Sequence, residues 1–98
     1  ACNVFIVRRG EIWTSTGDYC MNGITRGKVL SLARANGITA REKNFSLVDV
    51  YSADEMFLTG TFGAQTPVGM VDGRPIGTGR IGPVTERIRA LYRALVAA

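Results

Sequence analysis

A chain of 98 residues, 46% hydrophobic and 20% charged, makes one domain, large enough to bury a core and small enough to be marginal alone. Its net charge of +4 comes from 12 basic and 8 acidic residues, scattered rather than massed with aromatics as a nucleic-acid face requires. There is no histidine, which excludes Ser–His and Cys–His nucleophile systems and any histidine-ligated metal.

The elements follow in chain order. Asn3 to Val7 is an apolar run, Arg8-Arg9-Gly10 reads as a turn, and Glu11 to Thr14 resumes as a strand, so the chain opens with a β-hairpin that has Gly10 at the tight position. Thr14 to Asn22 reads as a polar, glycine-bearing loop. A first helix is predicted from about Thr25 to Asn36, with Val29, Leu30, Leu32 and Ala33 as its apolar stripe and Gly37 as its C′ residue. Ile38 to Phe45 is predicted to be a strand, and Ser46 to cap a short helical turn over Leu47 to Ser52. Glu55 to Thr59 is a short buried strand. Gly60 to Thr66 reads as a polar loop, and Val68 to Val71 as a strand turning at Asp72-Gly73 into Arg74 to Ile76. The second long helix starts at Gly82-Pro83, with proline at the first helical position and Val84, Ile88, Leu91 and Leu95 on one face.

The order is β-β-α-β-(α)-β-β-β-α, a mixed α/β domain with an antiparallel-rich sheet and two main helices. It contains no strand followed by GxGxxG, so a Rossmann nucleotide site is not expected. No stretch approaches the roughly 20 apolar residues of a membrane helix, and the opening ACNVFIVRRG reads as a strand rather than a signal. Cys2 and Cys20 do not make a disulfide framework. The simplest setting is reduced and cytoplasmic.

Two segments are candidates for holding a phosphate. At the start of the first helix, unpaired backbone N–H groups and the positive end of the helix dipole favour an anion. There Gly23 allows close approach and Thr25 adds a hydroxyl. The plainer reading is that Thr25 caps its own helix. The second segment is LTGTFGAQTP, residues 58 to 67, with two hydroxyls flanking Gly60 directly after a buried strand, where small ligands tend to be met in α/β sheets. The plainer reading there is a polar turn.

Taken with the order of elements between them, these segments resemble the class IV, fold-type IV, pyridoxal-phosphate aminotransferases. The matching pieces are NVF at Asn3 to Phe5, GITRGKVLSLA at Gly23 to Ala33, DVYSADEMFLTGT at Asp49 to Thr61, TPV at Thr66 to Val68, DGRPIG at Asp72 to Gly77 and GPVTERI at Gly82 to Ile88. The resemblance implies the C-terminal domain of the D-amino acid/branched-chain aminotransferase-like fold over residues 1–98, with pyridoxal 5′-phosphate as cofactor. It implies that the amides of Ile24 and Thr25, the Thr25 hydroxyl and the neighbouring Gly23 hold the cofactor phosphate, with Gly60 and Thr61 supplying the second phosphate contact. The amides of Thr61 and Phe62 correspond to those that receive a substrate carboxylate. Asn3 is similar to the motif asparagine that follows the glutamate partner of the pyridine nitrogen.

By the same resemblance, the Schiff-base lysine and that glutamate lie upstream of Ala1. Lys28 and Lys43 do not match the catalytic position, so no catalytic residue and no metal ligand is expected in this chain, which by itself should be inactive. The implied parent takes an amino acid and a 2-oxo acid, of the branched-chain group in the first instance. It is expected to be a cytoplasmic homodimer completed by a missing N-terminal part, with no nucleic-acid or membrane partner. An aminodeoxychorismate lyase or D-amino acid transaminase of the same fold is the alternative, or a non-catalytic binding module. Phe62 stands where several relatives carry a small residue, which bears on substrate choice.

Overall fold

The computed structural model describes residues 3–16, 24–59 and 65–97. Its elements are β1 (Asn3–Arg8), β2 (Glu11–Thr14), α1 (Ile24–Ala35), β3 (Ala40–Glu42), α2 (Leu47–Tyr51), β4 (Glu55–Thr59), β5 (Gln65–Pro67), β6 (Met70–Val71), β7 (Arg74–Pro75) and α3 (Pro83–Ala97). Five strands form one sheet in the order β3-β2-β1-β4-β5. Every pairing is antiparallel except β2 with β3, which run parallel on either side of α1, as a strand–helix–strand connection demands. The expected mixed α/β class with an antiparallel-rich sheet is what forms.

The opening hairpin turns on Arg9 and Gly10, at φ 52° and 79°. Both central residues at positive φ is the pattern of a two-residue turn whose twist matches its strands. Asp72 and Gly73, at φ 50° and 77°, repeat it between β6 and β7. Gly37 follows α1 at φ 76°, the left-handed stop expected from its position.

Alternation along β1 divides the interior in two. Phe5 and Val7 point to one face, where they pack with Ile12, Phe57, Val29, Leu30 and Ala33 of α1, Ile38, and Ile88 of α3. Phe5 and Phe57 stack across the strands with ring centroids 4.9 Å apart. Ile6 points to the other face and packs with Val50 of α2, Ala53 and Ile76. The sheet thus lies between α1 and α3 on one side and α2 with the β6–β7 ribbon on the other.

Several boundaries differ from expectation. The strand predicted over Ile38 to Phe45 is only Ala40–Glu42. It is an edge strand whose one neighbour, β2, has four residues. Ile38 turns into the core instead, and Phe45 packs on the opposite cluster. Where a polar loop was expected, Gln65–Pro67 pairs with the free edge of β4, and the Val68 N–H continues that ladder to the Met56 carbonyl at 2.9 Å. Proline is tolerated there because an edge strand need not donate on both sides. The strand predicted over Val68 to Val71 is reduced to Met70–Val71. On α3, Leu95 is exposed while Thr85 is buried, so the buried stripe lies nearer the start of the helix than the apolar residues alone suggested.

Ser46 caps α2 as expected, within a full capping box. Its side chain accepts from the Asp49 N–H, while the Asp49 carboxylate accepts from the Ser46 N–H at 2.9 Å. That backbone hydrogen bond, aided by Arg8 at 3.5 Å, holds the Asp49 carboxyl below its usual range. A carboxyl lowered on folding adds stability above its unfolded value, about pH 4, and loses it as pH falls through the folded value. The melting temperature of Asp49→Asn should therefore lie below that of the wild type at pH 7 and converge on it in acid. A gap that persists at pH 2 would assign the effect to something other than this charge.

Candidate functional site

The register of the sheet brings a set of polar residues to one end of the molecule. Asn3 stands opposite Thr59, and Thr59 opposite Gln65, so the last rung across β1, β4 and β5 is polar throughout. All three are buried, at 5%, 2% and 5% exposure. Cross-strand partners share a face and side chains repeat every second residue, which puts this rung on the same face as Phe5, Val7 and Phe57, the face covered by α1 and α3. One rung further in, Thr14 of β2 stands opposite Phe5 and donates its hydroxyl proton to the Val4 carbonyl at 2.9 Å. The apolar core therefore ends in a polar floor.

The N-terminus of α1 reaches the same end. Arg26, in its first turn, donates from Nη2 to the Ser15 carbonyl at 2.6 Å, just beyond the end of β2. The guanidinium also pairs with Glu42 of β3 at 3.3 Å. Thr25 is the second residue of α1, inside the helix rather than at the preceding position where a capping side chain stands. This disfavours the plainer reading of Thr25.

The three helix starts differ in charge. Those of α2 and α3 carry acids, Asp49 in the capping box and Glu86 in the first turn, and Glu55 from β4 also accepts from the first N–H groups of α3. The first turn of α1 has no acidic residue and contains the cation Arg26. The positive end of the helix dipole gives this place positive potential.

Buried polar atoms normally find a partner. Among the described residues, four have none: Asn3 Oδ1, Thr59 Oγ1, Arg26 Nε and Thr85 Oγ1. The first three lie at the end of the sheet just described. Thr85 lies toward the other end, where its own N–H donates to Glu55. Two of those three, Thr59 Oγ1 and Arg26 Nε, can donate to an anion, and they lie near a helix start whose first turn has no acid, as a pocket for a polar, anionic molecule requires. The groups with displaced titration lie elsewhere. The Arg41 hydrogen bond holds Glu11 down, with help from Trp13, and the hydrogen bond to Asp72 raises Tyr51.

Of the residues singled out in the sequence, Asn3, Ile24 and Thr25 stand at this end, Asn3 in the floor and the other two in the first turn of α1. Gly23, Gly60, Thr61 and Phe62 lie outside the described residues. Lys28 is exposed. Lys43 stacks its Nζ 4.0 Å from the centre of the Trp13 ring, and Trp13, opposite Ile6, belongs to the other face of the sheet. Sequence reasoning missed Thr14, Arg26 and Gln65, and saw Thr59 only as one of two hydroxyls flanking Gly60. A signal for Thr59 was present, since Glu55, Phe57 and Thr59 occupy one phase of β4 and the threonine breaks an inward-facing set at its end.

This arrangement has close counterparts. Residues 1–71 match the family model for amino-transferase class IV. The branched-chain-amino-acid aminotransferase of Pseudomonas aeruginosa is 48% identical over 94 residues, covering 96% of this chain and 31% of that protein. The crystal structure of the branched-chain amino acid aminotransferase of Escherichia coli superposes with a TM-score of 0.92 at 41% identity, over 97% of this chain and 32% of that one. An aminotransferase from Brucella abortus, solved with the co-factor PLP, superposes at 0.91 with 37% identity, over the whole of this chain and 34% of that one. The chain thus spans about a third of the length of these relatives. With most of its residues inside the family model and its fold matched almost end to end, the chain belongs to the class IV aminotransferases.

Proposed function

We propose that residues 1–98 form one domain, the cofactor-phosphate part of a pyridoxal-phosphate aminotransferase that moves an amino group from a branched-chain amino acid to a 2-oxo acid. The observation that carries this is the coincidence of an acid-free helix start with the buried polar floor of Asn3, Thr59 and Gln65. The substrate class is supported by the branched-chain relatives, and the cofactor by the PLP held in the Brucella abortus structure.

When bound, pyridoxal phosphate supplies the electron sink that labilises bonds at the amino-bearing carbon. The work of this chain is to bind and orient. The N–H groups of Ile24 and Thr25 and the Thr25 hydroxyl grip the phosphate, helped by the helix dipole, with Gly23 allowing close approach. Gly60 and Thr61 supply a second grip. The amides of Thr61 and Phe62 receive the substrate carboxylate. Asn3, buried beside Thr59, steadies the sheet end on which the cofactor rests. The lysine and glutamate that complete the chemistry belong to the part of the enzyme that precedes Asn3 in the family pattern. The whole enzyme works as a cytoplasmic homodimer, and the exposed Ile24, Leu95 and Val96 offer apolar surface to a neighbour.

The test is calorimetric titration of the chain with pyridoxal phosphate and with pyridoxal, which lacks the phosphate. The phosphate form should bind at least tenfold tighter, and Thr25→Val should erase about tenfold of that preference, the scale of one hydrogen bond to a charged group. Equal affinity for the two forms would reject the phosphate reading.

A further inference from the structure

We propose that Arg26 is a positioning residue of the anion site. It fastens the start of α1 to the sheet and raises the positive potential there, an inference that rests on the phosphate reading above. The reason is the cost of the residue's place. A cation in the first turn of a helix opposes the helix dipole. Burial adds a desolvation cost, and the Arg26 side chain is only 13% exposed.

What compensates this charge is incomplete. The shortest contact is to a neutral acceptor, the Ser15 carbonyl at 2.6 Å. Among the described residues the one carboxylate in reach, Glu42, stands 3.3 Å away with its own side chain 41% exposed, and it also has Arg34 at 3.9 Å. Nε is buried and has no partner. The guanidinium is thus held by its geometry, with its charge only partly answered. An anion at the helix start would supply the rest.

The contact with Ser15 has a second effect. Ser15 lies just beyond the end of β2, and α1 begins at Ile24. One side chain therefore joins both ends of the connection that leads into the phosphate-binding helix. Lysine could supply the charge but not the planar fork that reaches a carbonyl and a carboxylate together.

The experiment measures binding of inorganic phosphate and of pyridoxal phosphate to the chain and to three variants, by 31P NMR and calorimetry, with circular dichroism to establish folding. Arg26→Gln should weaken both ligands by about tenfold, the scale of a charged hydrogen bond and its field, and Arg26→Lys by less. Glu42→Gln should have the opposite sign. With the carbonyl still holding the guanidinium, removing the competing carboxylate should tighten phosphate by about two- to fivefold, the size of one charge acting near a helix end. A merely structural Arg26 predicts no gain from Glu42→Gln. If Arg26→Gln fails to fold, the Glu42→Gln result decides alone: tightening supports the proposal, and unchanged or weaker binding overturns it. Folded Arg26→Gln with wild-type affinity overturns it too, while leaving the phosphate reading intact. If the wild-type chain binds neither ligand, the phosphate reading fails and this proposal falls with it.

Discussion

Glu55→Ala should destabilise the domain by about 3 kcal/mol, combining charged hydrogen bonds with a helix-dipole interaction. A domain of this size has about 5–15 kcal/mol in total. The reason lies in how α3 begins. Gly82 gives its carbonyl to the first turn, accepting from the Glu86 N–H at 3.0 Å, so it stands where a capping residue stands. Glycine has no side chain to cap with, and Glu55 of β4 does so instead. Its carboxylate accepts from the Thr85 N–H at 2.8 Å and the Val84 N–H at 3.2 Å while 6% exposed. It occupies the space a side chain at residue 82 would need, since a Cβ built on Gly82 overlaps the Glu55 carboxyl group. Alanine at 55 leaves two donors unpaired beside a cavity. Glutamine keeps an acceptor and should cost less, whereas Gly82→Ala should cost about as much as Glu55→Ala because it evicts the carboxylate. Urea denaturation at constant m-value reads all three. A loss under about 1 kcal/mol for Glu55→Ala would show that the cap contributes little more than an ordinary exposed one.

The second large effect is on activity. The 98-residue chain, prepared as such and supplied with pyridoxal phosphate, should transaminate leucine with 2-oxoglutarate no faster than free cofactor does. The amine the chemistry needs must stand over the cofactor, and neither lysine of this chain can do so. Lys28 is exposed on α1. Lys43 is committed to Trp13 on the opposite face from Asn3 and Thr59, with the thickness of the sheet between. Borohydride should fix no stoichiometric cofactor to either lysine, as read by peptide mass. Turnover above the free-cofactor rate, lost in Lys28→Ala or Lys43→Ala, would overturn this.

How far the sequence led depends on what each signal encodes. Turns were legible because Gly10, Gly37 and Asp72-Gly73 satisfy a backbone angle, and only a few residue types do so without strain. The helices were legible to within a residue or two because caps and periodicity agree, as with Ser46 and Asp49 over α2. Pairing was less legible. Of the three residues of β5 only Thr66 favours a strand and Pro67 disfavours one, and β5 exists because β4 offers an open edge, which is tertiary information. For the same reason the floor of the site was half seen. Asn3 and Thr25 stood out as residues within motifs, but Thr59 and Gln65 become parts of one rung only once the register of three strands is set. Arg26 read as one more basic residue until its partners, Ser15 and Glu42, were placed beside it.

The two-sided character of β1 bears on how this domain can change over generations of mutation. Residues 3, 5 and 7 share a face with the polar floor, α1 and α3, while Ile6 answers to α2 and the β6–β7 ribbon. Substitutions at Ile6, Val50 or Ile76 can be absorbed by neighbours that never meet the helix start. Their effects should add to those at Phe5, Phe57 or Val29 with little coupling. Within the α1 side, a smaller side chain at residue 57 should be felt two residues away at Thr59. A lineage could therefore drift freely on one side of the sheet for stability or for new neighbours, while the other side stays tied to the shared packing of α1, α3 and the polar floor.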